Sequence, residues 1–201
     1  LISRASRIMV MSRHGRDLLV EAYRAPADRI EVMRGPLAYL YGNASGGVIQ
    51  TFTREAGDKP EAQVSLYTGS FGLQRTDWQI SQRSGNVGLV ADYSTFSIDG
   101  YRANSATERK QFNGKLNFDV NDDLKVNLVF NQFDMPLAQD PLGLTRAQLN
   151  SDPTQAGKDA IKYFTRKTVL QNQLGSSATY TLDQDRSITG RAYYGTRDNL
   201  Q

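Results

Sequence analysis

Cysteine is absent from these 201 residues. That excludes a disulfide framework, a thiolate metal site and a cysteine nucleophile, and it neither requires nor forbids an oxidising compartment. Histidine occurs once, as His14, so the usual zinc donor set cannot be assembled. Beside Gly15 at a helix start, His14 reads as a solvated residue with little to support a catalytic role. No stretch approaches the roughly 18 apolar residues of a transmembrane helix, and no signal peptide opens the chain. Neither absence bears on a membrane β-barrel, which hides its hydrophobicity in alternation. Leu1 is not a start methionine and Gln201 closes no recognisable element, so the chain reads as a piece of something longer.

The formal charge of +3 is unevenly placed: residues 1–34 hold seven arginines against four carboxylates, and the remainder balances. A nucleic-acid binder should carry a basic stripe interleaved with aromatics on one element. Here the basic excess is local and the aromatics lie elsewhere, so nucleic acid is set aside as a partner.

The informative stretch is residues 29–53, RIEVMRGPLAYLYGNASGGVIQTFT. Two short apolar strands, at 30–33 and 47–53, flank a compact segment. Gly35-Pro36 breaks the first strand, because proline fixes φ and gives a sheet no donor. Residues 37–41 suit one or two helical turns that bury Leu37, Leu40 and Tyr41; Gly42-Asn43 suits a left-handed stop, and Gly46-Gly47 allows close backbone approach. The order is strand, turn, short helix, turn, strand. In Ile30-Glu31-Val32, Arg34-Gly35-Pro36, Leu40-Tyr41-Gly42 and Gly46-Gly47-Val48-Ile49 this stretch resembles the C-terminal part of the plug domain of TonB-dependent outer-membrane receptors, with the family's order and spacing.

Residues 1–28 are different. A strand at 7–11, a helix capped by Ser12 over 13–23 and a stop at Ala25-Pro26 do not look like a plug. Residues 1–33 are instead similar to a segment of glycosyltransferases of the two-Rossmann-domain type, and the resemblance changes hands at Asp28-Arg29-Ile30-Glu31-Val32. The segment is either a divergent plug or a spliced or misassembled reading frame; the switch favours the second. On that view residues 1–28 pack poorly on the remainder of the chain.

From Ala62 the pattern becomes two-residue alternation broken by turn signals, the period of β-strands. Strands are expected at 62–69, 73–84, 87–98, 108–120, 124–134, 166–183 and 187–199. Leu124, Val126, Leu128 and Phe130 alternate with Lys125, Asn127 and Asn131, which gives one apolar face and one polar face. In a soluble sandwich the apolar face would be core; in a membrane barrel it meets lipid, while the polar face lines the lumen. The links alternate too: tight turns at 84–86, 121–123 and 183–186 stand against loops at 99–107 and 135–165, with 69–72 the short member of the second set. Short turns on one side and longer loops on the other mark outer-membrane barrels. The long loop should carry helical turns at 145–149 and 156–163. Its segment 136–145, with 165–167, is similar to an extracellular loop and returning strand of ferric-siderophore-type members.

Asp122-Asp123 is most simply a turn beside Asn121. Gly69-Ser70-Phe71-Gly72 is no phosphate loop, since it is succeeded by no basic partner or helix. Tyr67, Phe71, Trp78, Tyr93, Phe96 and Tyr101 read as an interfacial aromatic girdle.

The resemblance covers residues 29–201 and implies a mainly β fold. This is a fragment of a plugged transmembrane antiparallel β-barrel of about seven strands, out of about 22 in such receptors, preceded by a small α/β plug remnant. The domains implied are 1–28 (atypical), 29–56 (end of the plug) and 57–201 (first barrel strands). Glu31, Arg34, Gly35, Pro36, Tyr41, Gly42, Gly46 and Gly47 would form the plug motif. Glu31 and Arg34 are either held by charges on the barrel wall, as in receptors of this kind, or a solvated edge pair. The partners implied are outer-membrane lipid, a ferric siderophore or similar small ligand, and the TonB complex, whose docking box is not in this chain. No cofactor, metal site or catalytic residue is expected. The rival readings are a glycosyltransferase fragment, carried by residues 1–33, and a soluble β-rich binding domain.

Overall fold

The computed structural model describes residues 5–10, 30–32 and 50–200, with side chains from residue 53 onward. The chain divides into two compact units, Leu1–Glu55 and Ala56–Gln201.

In the first unit, β1 (Ala5–Val10) lies between β2 (Ile30–Val32) and β3 (Gln50–Thr53). It runs parallel to β2, with Ile8 opposite Ile30, and antiparallel to β3, with Ile8 opposite Thr51. β1 thus has a hydrogen-bonded neighbour on each edge, and its run Ile8-Met9-Val10 is apolar. The expectation that residues 1–28 pack poorly on the remainder of the chain is therefore corrected for residues 5–10, which supply the middle strand of the sheet holding Ile30-Glu31-Val32. The helix expected over 13–23 and the turns and short helix expected over 35–47 lie outside the described residues.

The second unit is one antiparallel sheet of seven strands in chain order. They are β4 (Glu61–Thr68), β5 (Gln74–Ser84), β6 (Val87–Ile98), β7 (Thr107–Asp119), β8 (Leu124–Gln139), β9 (Arg166–Thr181) and β10 (Ser187–Leu200). Period-2 alternation placed each of them. The correction is the end of β8, which runs to Gln139 rather than stopping before Pro136. On one side Lys110 faces Asp134 while Glu108 faces Leu137; on the other Met135 faces Val169 while Ala138 faces Lys167. Both ladders skip at the same place, a bulge around Pro136. A residue without an N–H is tolerated in a strand where pairing is already interrupted.

Short turns gather at one end of the sheet. Gly85-Asn86 joins Ser84 to its partner Val87. Asn121 Oδ1 accepts from the N–H groups of Asp123 and Leu124 at 3.0 and 2.8 Å. Asp183 accepts from Arg186 Nε at 2.7 Å and from the Asp185 N–H at 3.1 Å. These local side-chain bonds shape the turns, and neighbouring strands add backbone bonds, from the Thr181 N–H to the Asp123 carbonyl at 2.8 Å and from the Asp119 N–H to the Asn86 carbonyl at 2.9 Å.

Directly paired residues share a face, so the registers sort every strand into two sides. One carries Val64, Trp78, Ile80, Leu89, Tyr93, Phe112, Leu116, Leu128, Phe130 and Leu174. The other carries Asp77, Ser81, Arg83, Asn113, Asn117, Asn127, Gln173 and Ser177. The apolar side is the exposed one, with Trp78 53% and Leu174 54% accessible, whereas Asp77, Ser81 and Asn117 on the polar side are buried. Buried apolar side chains among the described residues amount to Ala56, Val90, Ala160 and Val169. A soluble domain would hold its core the other way round.

Candidate functional site

The polar side is laced across the strands. Near the turn end, Arg83, Gly88, Asn117, Asn127 and Ser177 stand on one rung. Asn117 Nδ2 donates to Asn127 Oδ1, and Asn127 Nδ2 donates to Ser177 Oγ at 3.3 Å. Arg83 is paired with Asp119. Gly88 leaves a notch in this rung that Ala56 fills: a Cβ on Gly88 would meet the Ala56 Cβ at 3.1 Å.

Toward the loop end the rung is Tyr67, Arg75, Phe96 and Arg109, each opposite the next. Arg75 lies over the Tyr67 ring at 5.8 Å and Arg109 over the Phe96 ring at 4.6 Å. Arg75 also pairs with Asp77 at 2.9 Å.

Above that rung stand the links 69–73, 99–106 and 140–165. Phe71 and Tyr101 meet edge to face at 5.4 Å, and the Asp99 N–H donates to the Phe71 carbonyl at 2.9 Å. The 99–106 link is tightly folded: Gly100 has φ +87°, and a Cβ there would lie 2.6 Å from the Ser105 carbonyl, so only glycine fits. Its neighbours then reach into the long loop. Arg102 donates from Nε to the Gln155 carbonyl at 2.9 Å and from Nη2 to the Pro141 carbonyl at 3.2 Å. The Ala103 N–H donates to the Thr154 carbonyl at 2.8 Å. Asn104 Nδ2 donates to the carbonyls of Asp140 and Thr165, at 2.9 and 3.0 Å, which are the two ends of the loop. Thr165 Oγ1 donates to the Asp140 carbonyl at 2.6 Å and closes the neck.

Within the loop, α1 (Arg146–Ser151) begins at a capping box between Thr145 and Gln148, and α2 (Lys158–Tyr163) ends at Phe164 with φ +49°. Both helical turns were legible. Ile161, Tyr163 and Phe164 are exposed, with Lys162 over the Tyr163 ring at 4.8 Å and Arg166 over the Phe164 ring at 4.7 Å. Asp152 is held below the usual carboxylate range by the Thr154 hydroxyl and then by the Thr154 N–H.

Of the residues singled out in the sequence, Glu31 is placed by its backbone in β2, opposite Met9; its side chain, and Arg34, Gly35, Pro36, Tyr41, Gly42, Gly46 and Gly47, lie outside the described residues. The aromatic girdle divides. Trp78 and Tyr93 face each other on the apolar side, as a girdle requires, but Tyr67 and Phe96 stand on the polar side, and Phe71 with Tyr101 belongs to the loops. Arg75, Arg102, Asn104 and Arg109 were missed. For the rung a signal existed: the turn at 85–86 sets Arg75 opposite Phe96 by counting outward. For Arg102 and Asn104 there was none, since their partners lie 36 to 61 residues away.

No protein-family model matches the chain. Over 60 residues it is 43% identical to the ferric enterobactin receptor of Pseudomonas aeruginosa, a stretch covering 28% of this chain and 8% of that receptor. The crystal structure of the ferric citrate transporter FecA in its unliganded form is similar over 77% of this chain and 24% of the transporter, with a TM-score of 0.64 and 20% identity. The chain therefore spans about a quarter of the solved transporter's length. The likeness shows the fold: the seven strands are part of an antiparallel β-barrel of that kind. Both relatives are named for carrying or receiving iron complexes, and neither lends support to the glycosyltransferase resemblance of residues 1–33.

Proposed function

We propose that this chain is part of a TonB-dependent receptor of the bacterial outer membrane. Such a receptor captures a scarce small ligand, here a ferric siderophore or a similar complex, and passes it inward through a gated, energised barrel. The observation that carries the reading is the exchange of faces: large apolar side chains stand exposed on one side, while the buried polar residues Asp77, Ser81 and Asn117 lie on the other, which is hydrogen-bonded across strands. Lipid satisfies the first and a polar lumen the second. A soluble β-domain would leave that apolar side in water, at about 25 cal/mol for each Å².

In this reading residues 57–201 are the first barrel strands, 29–56 the end of the plug, and 5–10 a strand of the same plug sheet. The segment 1–28 is otherwise atypical. Glu31, Arg34, Gly35, Pro36, Tyr41, Gly42, Gly46 and Gly47 form the plug motif that responds to the energising TonB complex. Binding and gated passage need no covalent step, so the protein is not an enzyme. The ligand class is supported by the names of the two relatives.

The test is fractionation and uptake. Expressed in a Gram-negative cell within its full reading frame, the protein should be recovered in the outer membrane and require detergent. Disrupting the frame should abolish uptake of at least one radiolabelled ferric siderophore. Recovery as a soluble, monodisperse protein without detergent overturns the proposal.

A further inference from the structure

Residues 55–60 run exposed except for Ala56, which is 7% accessible. Its methyl group is seated at Gly88, where a Cβ would meet the Ala56 Cβ at 3.1 Å. Gly88 stands on the polar side between Arg83 and Asn117, and Ser81 is its diagonal neighbour there. The two neighbours Ser81 and Asn117 are both buried, and Asn117 Oδ1 lies 3.6 Å from the position of that Cβ. Neither Ser81 Oγ nor Asn117 Oδ1 has a hydrogen-bond partner among the described residues; Asn117 spends its amide group on Asn127. The contact is thus opposed by its own surroundings. Burying one methyl group returns less than leaving a buried hydroxyl and a buried carbonyl unpartnered costs. Gly57, next in the chain, is exposed, with open space around its Cβ position.

We propose that Ala56 and Gly88 form a releasable latch at the start of the second unit. Closed, the methyl group fills the notch at Gly88. Open, residue 56 swings off the polar side, and water bonds Ser81 Oγ and Asn117 Oδ1. Ala56 is the first residue of that unit, so the latch decides whether the chain is pinned to the sheet there or free to turn about Gly57. A gated barrel gives such a latch its use, and that role rests on the receptor reading; the latch itself rests on the contact and the two polar atoms.

The test labels the protein with N-ethylmaleimide, expressed in its full reading frame on a cysteine-free background. Ala56→Cys should react measurably, about 10- to 1,000-fold more slowly than the exposed Gly57→Cys, because labelling tracks the population of the open state. The buried Val90→Cys should stay unreactive. Ser81→Ala removes one unpartnered group from the closed state and should slow labelling of Ala56→Cys about 5- to 10-fold. Gly88→Ala should raise it to the rate of Gly57→Cys, since the added Cβ takes the place of the methyl group. A contact that served packing alone would not tighten on losing a hydroxyl. Amide exchange over residues 54–58, in protein without the cysteine, should follow the same order: slowest in Ser81→Ala and fastest in Gly88→Ala. The latch is overturned if Ala56→Cys is as unreactive as Val90→Cys, if Ser81→Ala leaves both rates unchanged or raises them, or if Gly88→Ala changes neither. Labelling and exchange read the latch whether the protein is recovered with the outer membrane or in solution, so its failure and that of the receptor reading are seen separately.

Discussion

Asp77 and Trp78 are neighbours on β5 and point to opposite sides of the sheet. Asp77 is 7% exposed and Trp78 53%. In water that arrangement is doubly unfavourable, since it strips solvent from a charge and presents a large ring to it. The strand keeps the same order through Gln79, Ile80, Ser81 and Gln82, so the pattern is a property of the sheet and not of one pair. What differs between the two sides is the solvent each expects. The exposed side is dominated by large apolar side chains. The polar side holds a network in which Asn117, Asn127 and Ser177 are linked across strands and Arg83 is paired with Asp119. Lipid asks only for hydrophobicity, whereas a lumen asks for partners.

The largest effect should come from forcing one side to behave like the other. Leu128 and Asn127 are adjacent on β8 and face opposite ways. On the proposed receptor reading, arginine at Leu128 should destabilise the folded protein by about 2–4 kcal/mol, the depth-dependent cost of a cation on a lipid face. Arginine at Asn127 should cost far less, because the polar side has water or polar groups to solvate it. Urea unfolding of the receptor in lipid vesicles measures both, and equal losses would show that the two sides share one solvent.

A smaller effect separates the two ends of the sheet. The side-chain bonds at the short end reach only two or three residues along the chain, while the long loop is held by side chains of a neighbouring loop, Arg102 and Asn104. Arg102→Ala removes two donors from backbone carbonyls, about 1–3 kcal/mol of local stability. Amide exchange at Ala103 and Gly157 should quicken, and proteolysis within 142–157 should become faster, while the turns at 121–123 and 183–186 keep their protection. Loss of protection at both ends together would mean that the loop is not a separately held unit. On the proposed receptor reading, a preorganised loop binds with less ordering cost, so the same variant should weaken ligand capture without removing the protein from the membrane.

This contrast also marks what the sequence could tell. The strands were legible because alternation is local: Leu124 to Phe130 declare their two sides without reference to any partner. The tight turns were legible for the same reason, since Asn121 and Asp183 bond to residues within three positions. Pro136 misled because a lone proline argues for a strand end, and only the partners' registers reveal a bulge that accommodates it. Tyr67 and Phe96 were read as part of an interfacial girdle because they are aromatic and fall near strand ends or at alternating positions; the registers put them beside Arg75 and Arg109. In the first unit β1 was recognised as a strand, but its place between β2 and β3 depends on pairing across 20 and more residues, which periodicity does not carry.

The smallest expected effect distinguishes the ends by how each holds a carboxylate. Asp183, in a tight turn, is kept below its ordinary value of 3.8 chiefly by Arg186 and then by the Asp185 N–H. Asp152, in the long loop, is kept below the same value by the Thr154 hydroxyl and N–H, with no cation involved. For both, the folded pKa lies under the unfolded one, so each contributes stability above about pH 4 and loses it as pH falls through the folded value. Both groups are fully exposed, so the contribution to global stability is slight. The two causes respond differently to salt, because an exposed pair of opposite charges weakens as ionic strength rises, whereas a bond from a neutral hydroxyl or N–H carries no net charge on the donor to screen. Carboxyl titrations by carbon-13 NMR should therefore find Asp183 moving up toward 3.8 when salt is raised, and Asp152 staying where it is. Arg186→Gln should produce the same rise at Asp183 without added salt, and Thr154→Val should release Asp152 at any salt. If both carboxylates moved alike with salt, the hydroxyl at Thr154 would not be what holds Asp152, and the loop end would rest on charge as the turn end does.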